Sequence, residues 1–311
     1  MHFNESEFEK AIIVLEKAFE IVNEKELGFE QQADILTRLG QVCQFKKVFG
    51  KAQNFYERAI NLYVENLSQK SDQMVKMYLY TGQMFVQAQE YEQAVNTFYN
   101  EINTGCLVYG EHYEGVAAAL YNLGNAYKSQ RNFSKSLTAF EQALQVKHSE
   151  KQASLIYTQM GMVHSELGSY SKALKYHQYS LELKQKNQMS EVSIAQTYGH
   201  LSSVCLQLNQ LESSMKYALK ERNLVRDFTA PDHAEMANCH LKVANVLIAD
   251  QKYTRARQEL ALATKIIEDN QKRDDRPREE VAQAKKIRKG IVECEQLLRE
   301  SLNHSPLKPR T

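Results

Sequence analysis

Apolar residues recur along this chain at helical spacing, in two stripes separated by a short polar break. The clearest example begins with Val116, Leu120, Leu123 and Tyr127. Its second stripe contains Phe133, Leu137, Phe140 and Leu144. Steps of three and four residues are typical of one face of an amphipathic helix, and residues 129–132 between the stripes are all polar. This segment therefore predicts two helices joined by a turn.

The same two-helix unit repeats along most of the chain. A large residue followed three positions later by a small one marks Phe8/Ala11, Phe49/Ala52, Tyr91/Ala94, Phe133/Ser136, Tyr170/Ala173, Leu211/Ser214 and Tyr253/Ala256. Twelve positions before each small residue, from the second copy on, stand Gly40, Gly82, Gly124, Gly161, Ser202 and Ala244. A period of 37 to 42 residues predicts stacked helix pairs, because one pair cannot bury its apolar face alone. We expect the small residues at 124 and 136 to meet where the two helices cross.

This period divides the chain into an array and a C-terminal extension. The array is predicted over residues 4–270, as a lone helix at 4–24 and six pairs at about 29–69, 71–109, 113–148, 151–187, 191–228 and 232–270. A charged break at 272–277 precedes apolar residues spaced for one helix face, which predict a capping helix over 276–302. The tail, residues 303–311, is expected to be disordered. Whether the lone first helix is a cap or is covered by a partner stays open.

Composition excludes several classes of function. Thirty-nine basic and 38 acidic residues leave a net charge of +1, which lacks the basic excess of a nucleic-acid-binding protein. No run of 18 apolar residues is present, so no membrane-spanning segment is predicted. The five cysteines form no CxxC pair, and their odd number favours reduced thiols in the cytosol. Cys43 and Cys205 share one repeat position, which predicts that they are buried as small apolar residues.

Motifs that carry chemistry are missing from the sequence. It contains neither a glycine-rich phosphate loop nor a nucleophile elbow, and no HxxxH or HxxC pair lies on one predicted helix. We therefore predict no enzymatic activity, no cofactor and no metal site. Two histidines have core positions in the repeat instead: His164 stands at the position of Cys43, and His177 at that of Phe140.

The spacing of small and aromatic residues resembles the tetratricopeptide repeat. A period near 42 is similar to the long-repeat subclass in kinesin light chains and spindle-orientation adaptors. The matching stretches are residues 121–127 and 176–178, with turns at 109–112 and 231–233. The resemblance covers residues 4–270 and implies an all-α fold, a right-handed α-solenoid of antiparallel helix pairs. The accessory segments of those two families, a preceding heptad region or trailing nucleotide-regulating motifs, have no counterpart here.

The resemblance also implies which residues line the concave groove, namely those two before and one after the glycine position. With Lys128 one turn further on, the predicted groove residues are Arg38, Gln41, Tyr80, Gln83, Asn122, Asn125, Lys128, Gln159, His200, Lys242 and Asn245. Met162 and Ser203 complete the same positions. Asparagine and glutamine both donate and accept hydrogen bonds, so such a row suits the backbone of an extended peptide.

These features predict a non-enzymatic scaffold or adaptor that binds an extended or helical segment of another protein in the groove. The alternative is a structural subunit embedded in a large cytoskeletal or ciliary assembly, which the unpaired first helix favours. A regulatory array that responds to a small peptide is a third possibility. A cytosolic protein is expected in each case, with cytoskeletal association as the second option.

Overall fold

The computed structural model describes residues 5–24, 28–67, 71–110, 114–146, 148–230, 233–271 and 278–303. Within these ranges every regular element is an α-helix. The helices are α1 Glu5–Glu24, α2 Phe29–Phe45, α3 Phe49–Asn66, α4 Asp72–Gln87, α5 Tyr91–Tyr109, α6 Glu114–Ser129, α7 Phe133–Gln145, α8 Glu150–Glu166, α9 Tyr170–Lys186, α10 Glu191–Gln207, α11 Leu211–Phe228, α12 Ala234–Ala249, α13 Tyr253–Gln271 and α14 Arg278–Asn303. The predicted break at 272–277 and the predicted disordered tail after residue 303 lie outside the described residues.

The chain divides into two compact units, residues 1–152 and 153–311. In the first unit, helices α1 to α7 pack in chain order, and the first helices of successive pairs also touch, α2 against α4 and α4 against α6. In the second unit, helices α9 to α13 pack in chain order, and α10 also contacts α12. Helix α14 packs against both α12 and α13.

Glycine makes room for an aromatic ring where the two helices of a pair cross. A Cβ atom on Gly40, Gly82, Gly124 or Gly161 would lie only 2.5 to 2.6 Å from the ring sixteen positions later. Those rings belong to Tyr56, Phe98, Phe140 and His177. The expected contact between residues 124 and 136 is confirmed, because Ser136 Oγ donates a hydrogen bond of 2.8 Å to the Gly124 carbonyl. The space that the glycine leaves is filled, however, by the ring at 140.

In the last two pairs, the residue at the glycine position is larger and the residue sixteen positions later is smaller. Ser202 stands at the glycine position of the fifth pair, and the residue sixteen positions later is the small Ala218. Ser214 Oγ donates to the Ser202 carbonyl at 2.8 Å, which repeats the contact between positions 136 and 124. In the sixth pair Ala244 is followed by Leu260, and both are buried. A larger residue at the glycine position thus accompanies a smaller partner, as close packing requires.

One type of turn joins the helices of all six pairs. The residue seven positions after the glycine position has a left-handed backbone, with φ between 57° and 70°, at Lys47, Gln89, Arg131, Gly168, Asn209 and Gln251. The next N–H donates to a carbonyl five residues back, as Asn132 does to Tyr127 at 2.9 Å. This is the Schellman pattern that ends helices at glycine, although only Gly168 is a glycine here.

Helix α14 completes the core of the second unit. Its buried side chains Ala284, Ile287, Ile291, Cys294 and Leu298 belong to the apolar cluster of α12 and α13, at positions that the spacing in the sequence indicates. All five cysteines are free thiols; Cys43 and Cys205 are buried as predicted, and Cys239 and Cys294 are buried as well. Cys106 is the exception, because it is only half-buried. No helix within the described ranges combines the length and apolar content needed to cross a membrane.

Candidate functional site

In the first unit, the predicted groove residues lie on three adjacent helices. Arg38 and Gln41 belong to α2, Tyr80 and Gln83 to α4, and Asn122, Asn125 and Lys128 to α6. Since α2 touches α4 and α4 touches α6, the three sets lie side by side. Arg38, Gln41 and Gln83 are exposed, and Tyr80, Asn122, Asn125 and Lys128 are half-buried. The fold therefore brings these seven residues to neighbouring helices.

One of these side chains has an unused acceptor. The Oδ1 atom of Asn125 is buried and has no hydrogen-bond partner among the described residues. A buried polar atom without a partner costs about 1–3 kcal/mol. A hydrogen-bond donor on a bound segment would remove that cost, so Asn125 is the groove residue best prepared for a ligand.

An apolar cleft opens between α1 and α2 beside the first groove residues. Its volume is about 500 Å³, and its lining consists of Ala11, Val14, Leu15, Arg38, Gln41, Val42 and Phe45. The Phe45 side chain is 67% exposed. Arg38 is already paired, since its Nε donates to Asp34 at 2.8 Å along the same helix. The cleft thus offers apolar area with one polar edge.

In the second unit, a smaller cleft forms where α8, α9 and α10 meet. It has a volume of about 240 Å³ and is lined by Met162, Ser165, Glu166, Tyr170, His177, His200, Ser203, Val204 and Gln207. Met162, His200 and Ser203 are at the predicted groove positions. His177 is 1% exposed, and its ring stacks on that of His200 with the centroids 5.0 Å apart. Burial, with the nearby His200 and Lys184, lowers the pKa of His177 to about 3, so its imidazole is neutral.

A buried lysine in this unit was not among the predicted residues. Lys184 is 2% exposed, and its Nζ donates to Thr197 Oγ1 at 2.8 Å and to the Ser193 carbonyl at 3.3 Å. Burial lowers its pKa to about 8. A signal was present, because Val225 and Ile267 stand at the equivalent positions of later repeats.

The predicted groove residues of the sixth pair already have internal partners. Lys242 forms an ion pair with the buried Glu221. Cys294 of α14 donates to Asn245 Oδ1 at 2.6 Å. In the fourth pair, the predicted groove residue Gln159 of α8 is half-buried. The predicted groove residues of the sixth pair are therefore engaged by other side chains of the chain.

A second buried glutamate, besides Glu221, was not predicted from the sequence. Glu101 of α5 is 4% exposed, and its Oε2 has no hydrogen-bond partner among the described residues. Burial raises its pKa to about 8, so the carboxyl group is largely protonated at neutral pH. The available signal was its position nineteen residues after the glycine, where alanine stands at Ala59, Ala143 and Ala263.

Metal and catalytic chemistry find little support in these groups. Across the part of the chain that the structure describes, no cluster of three or more His, Cys, Asp or Glu side chains is arranged to hold a metal ion. His177 and Lys184 are both buried.

Comparison with known families supports the repeat assignment. The tetratricopeptide repeat model matches residues 117–150, which contain most of α6 and all of α7. A second model, soluble NSF attachment protein, matches residues 1–108, about a third of the chain. The comparison with curated proteins found no match.

Solved structures share the fold at low sequence identity. BtubC (BKLC) from P. vanneervenii is 16% identical, with a TM-score of 0.62 over 72% of this chain and 94% of its own. The nearly identical repeats of a Podosopora anserina protein named for kinesin light chain are 11% identical, with a TM-score of 0.57 over 64% of this chain and 97% of theirs. The apo form of RapI is 16% identical, with a TM-score of 0.66 over 95% of this chain and 83% of its own.

The structural matches and the single-repeat match agree with the glycine and aromatic register described above. The fold is an all-α solenoid of antiparallel helix pairs, as the sequence predicts. Residues 117–150 match the tetratricopeptide repeat, and the helix pairs share the fold of kinesin light chain-like repeat structures.

Proposed function

We propose that this protein is a non-enzymatic scaffold that binds an extended segment of another protein across α2, α4 and α6. The observation that carries the proposal is the row of polar groove residues on three touching helices, in which Asn125 has a buried acceptor without a partner. Solenoids of this kind present extended binding surfaces, which supports a protein partner over a small molecule. We place the protein in the cytosol, because its thiols are free.

The chemistry of the row suits a peptide backbone. Asn122 and Asn125 are three residues apart on α6, so their amides are neighbours on one face of that helix. Each amide can accept from a backbone N–H and donate to a carbonyl. Lys128 follows one turn later and adds a positive charge at the same face.

Replacing both asparagines by alanine tests this proposal. Each lost hydrogen bond contributes roughly 0.5–1.5 kcal/mol, so the double variant Asn122→Ala/Asn125→Ala should bind about 5- to 150-fold more weakly. The probe is a fluorescent dodecapeptide selected on the full chain from a random library. Its affinity is measured by fluorescence anisotropy, and the melting temperature is recorded alongside. We expect little loss of thermal stability, because both side chains are half-buried and outside the core.

The control is Gln142→Ala, an exposed residue on the second helix of the same pair, which should leave affinity unchanged. Undiminished binding by the double variant would contradict the proposal. If affinity then falls on replacing Lys285, Lys286 and Lys289 by alanine, the interface lies on α14 instead.

One observation favours a second candidate, a structural subunit of a larger assembly such as a cytoskeletal or ciliary complex. The cleft between α1 and α2 is apolar, and Ile13 and Val14 beside it are exposed. Apolar area of this kind often marks a permanent protein interface. This candidate requires that the purified chain self-associates or stays soluble only with a partner, whereas the scaffold should sediment as a soluble monomer.

A further inference from the structure

Two repeats have a buried glutamate at the same position, and among the described residues a counter-charge is seen for one of them. Glu101 lies nineteen residues after Gly82, and Glu221 lies nineteen residues after Ser202. Both are at least 96% buried. The two repeats thus provide a matched comparison of one buried carboxyl group in two environments.

In the fifth pair, the glutamate is paired by a lysine that belongs to the groove. Lys242 stands twenty-one residues after Glu221, two before the next glycine position, and its Nζ pairs with Glu221 Oε1. Gly199 makes room for this pair, since a Cβ atom there would collide with both charged groups. A lysine in a groove position can therefore reach a carboxyl group at the position of Glu101.

In the second pair, the lysine is replaced by a shorter side chain. Asn122 stands twenty-one residues after Glu101, in the place of Lys242. Glu101 Oε2 has no partner within the described residues. Leu79 takes the place of Gly199, so a cation would approach Glu101 from the side of Asn122 and the groove.

A cation is the partner that would compensate this carboxyl group best. An unpaired buried polar group is costly, and an ionised carboxylate is stabilised inside a protein chiefly by a close opposite charge. Burial raises the pKa of Glu101 to about 8, so without a cation the group gives up its charge. An ammonium or guanidinium group would supply both hydrogen bonds and the charge.

We infer that the face between α5 and α6 takes a lysine or arginine side chain of the bound protein segment, whose cationic group pairs with Glu101 as Lys242 pairs with Glu221. This inference rests on the proposed binding of a segment across α2, α4 and α6. It adds a residue-type preference at one position, beside the amides of Asn122 and Asn125.

A positional-scanning library of acetylated, amidated dodecapeptides tests the inference on the full chain. The native protein should enrich lysine and arginine at one peptide position. From an enriched peptide, a second peptide is made in which norleucine replaces that lysine and removes only its charge. Glu101→Gln should weaken the lysine peptide about 10- to 150-fold and leave the norleucine peptide unaffected.

Two further variants control for charge and for geometry. Glu92→Gln removes an exposed charge from the same helix and should preserve the lysine preference. Asn122→Lys places an internal cation where Lys242 stands in the later repeat, so the variant should lose the preference and melt at a higher temperature than the native chain.

The results separate the two proposals. Library binding without lysine or arginine preference, or equal weakening of both peptides by Glu101→Gln, overturns the cation subsite and leaves the groove proposal intact. Absence of binding by every library peptide overturns both proposals. An Asn122→Lys variant that keeps the preference also contradicts the subsite.

Discussion

At the scale of single residues, a histidine in an aromatic position shows how the repeat tolerates a change of chemistry. His177 contacts Gly161 as Phe140 contacts Gly124, with ring atoms at nearly the same distance from a Cβ on the glycine. Its Nδ1 has no hydrogen-bond partner in the described part of the chain. The ring therefore behaves as a neutral aromatic group, and protonating it would place a charge beside His200 and Lys184.

This burial makes stability depend on pH in a defined direction. The folded pKa of His177 is about 3, below the ordinary 6.5, so the unfolded chain binds the proton more strongly. The stability is complete above pH 6.5 and is lost as the pH falls towards 3. Between pH 7 and pH 5 the loss should be about 2 kcal/mol, at 1.36 kcal/mol per pH unit below 6.5.

Replacing the imidazole by the ring that other repeats use removes this dependence. Urea unfolding of the native chain and of His177→Phe at pH 7 and pH 5 should show a smaller acid-induced loss in the variant, by about 2 kcal/mol. Parallel losses in the two proteins would mean that His177 is protonated without cost in the folded state. His148→Phe, at a half-exposed residue outside the helices, is the control and should follow the native profile.

At the scale of helices, the small residues decide how closely a pair packs. The sequence predicted the pairs well, because glycine, aromatic and small residues recur in phase over six crossings. It indicated the contact between residues 124 and 136, but it did not indicate that the aromatic residue sixteen positions after the glycine fills the space beside it. The short contact with Ser136 explains the small residue at 136, and the ring of Phe140 explains the glycine at 124.

Two glycine substitutions in the first unit separate packing from helix propensity. A Cβ on Gly124 would lie 2.5 Å from the Phe140 ring, so Gly124→Ala should cost about 1–3 kcal/mol through overpacking. Gly105 lies in α5 with no atom within 4 Å of such a Cβ, so Gly105→Ala should stabilise by about 0.5–1 kcal/mol. The melting temperatures should therefore move in opposite directions. Shifts of the same sign would show that the crossing relaxes around the methyl group.

The site was less predictable than the helices. The repeat register indicates that Asn122 and Asn125 share a helix face, because residues three positions apart in a helix always do. It does not indicate that Glu101 Oε2 has no partner among the described residues, because this depends on Asn122 being shorter than Lys242 and on Leu79 replacing a glycine. Likewise, the sequence placed Asn245 in the groove without showing that Cys294 would reach its amide. Contacts between repeats depend on side-chain length at several positions at once, which a one-repeat consensus does not record.

At the scale of the whole molecule, stability is the sum of contacts between neighbouring helices. In a repeat array each unit is stabilised mainly by the units next to it, so an outer helix is held according to what it buries. Helix α14 buries five apolar side chains against two helices. Helix α1 packs on α2, and among its described side chains, residues 10–22, Val22 is the one that is buried. Helix α14 is therefore held more strongly than helix α1.

Hydrogen exchange on the full chain should resolve this difference helix by helix. Amides of α1 should exchange faster than those of α4 and α6 in the same unit, because α1 opens by exposing little apolar area. Amides of α14 should be protected nearly as well as those of α12, since opening α14 uncovers the apolar cluster that it shares with that helix. A difference of about 1.4 kcal/mol in opening free energy corresponds to tenfold in exchange rate, which mass spectrometry of peptic fragments detects readily.

Leu298→Ala should reduce protection in α14 with little change in α1, because its buried side chain contributes only to the second unit. Equal protection of α1 and α4 in the isolated chain would show that the exposed residues Ile13 and Val14 are covered in solution, and would favour self-association through the cleft between α1 and α2.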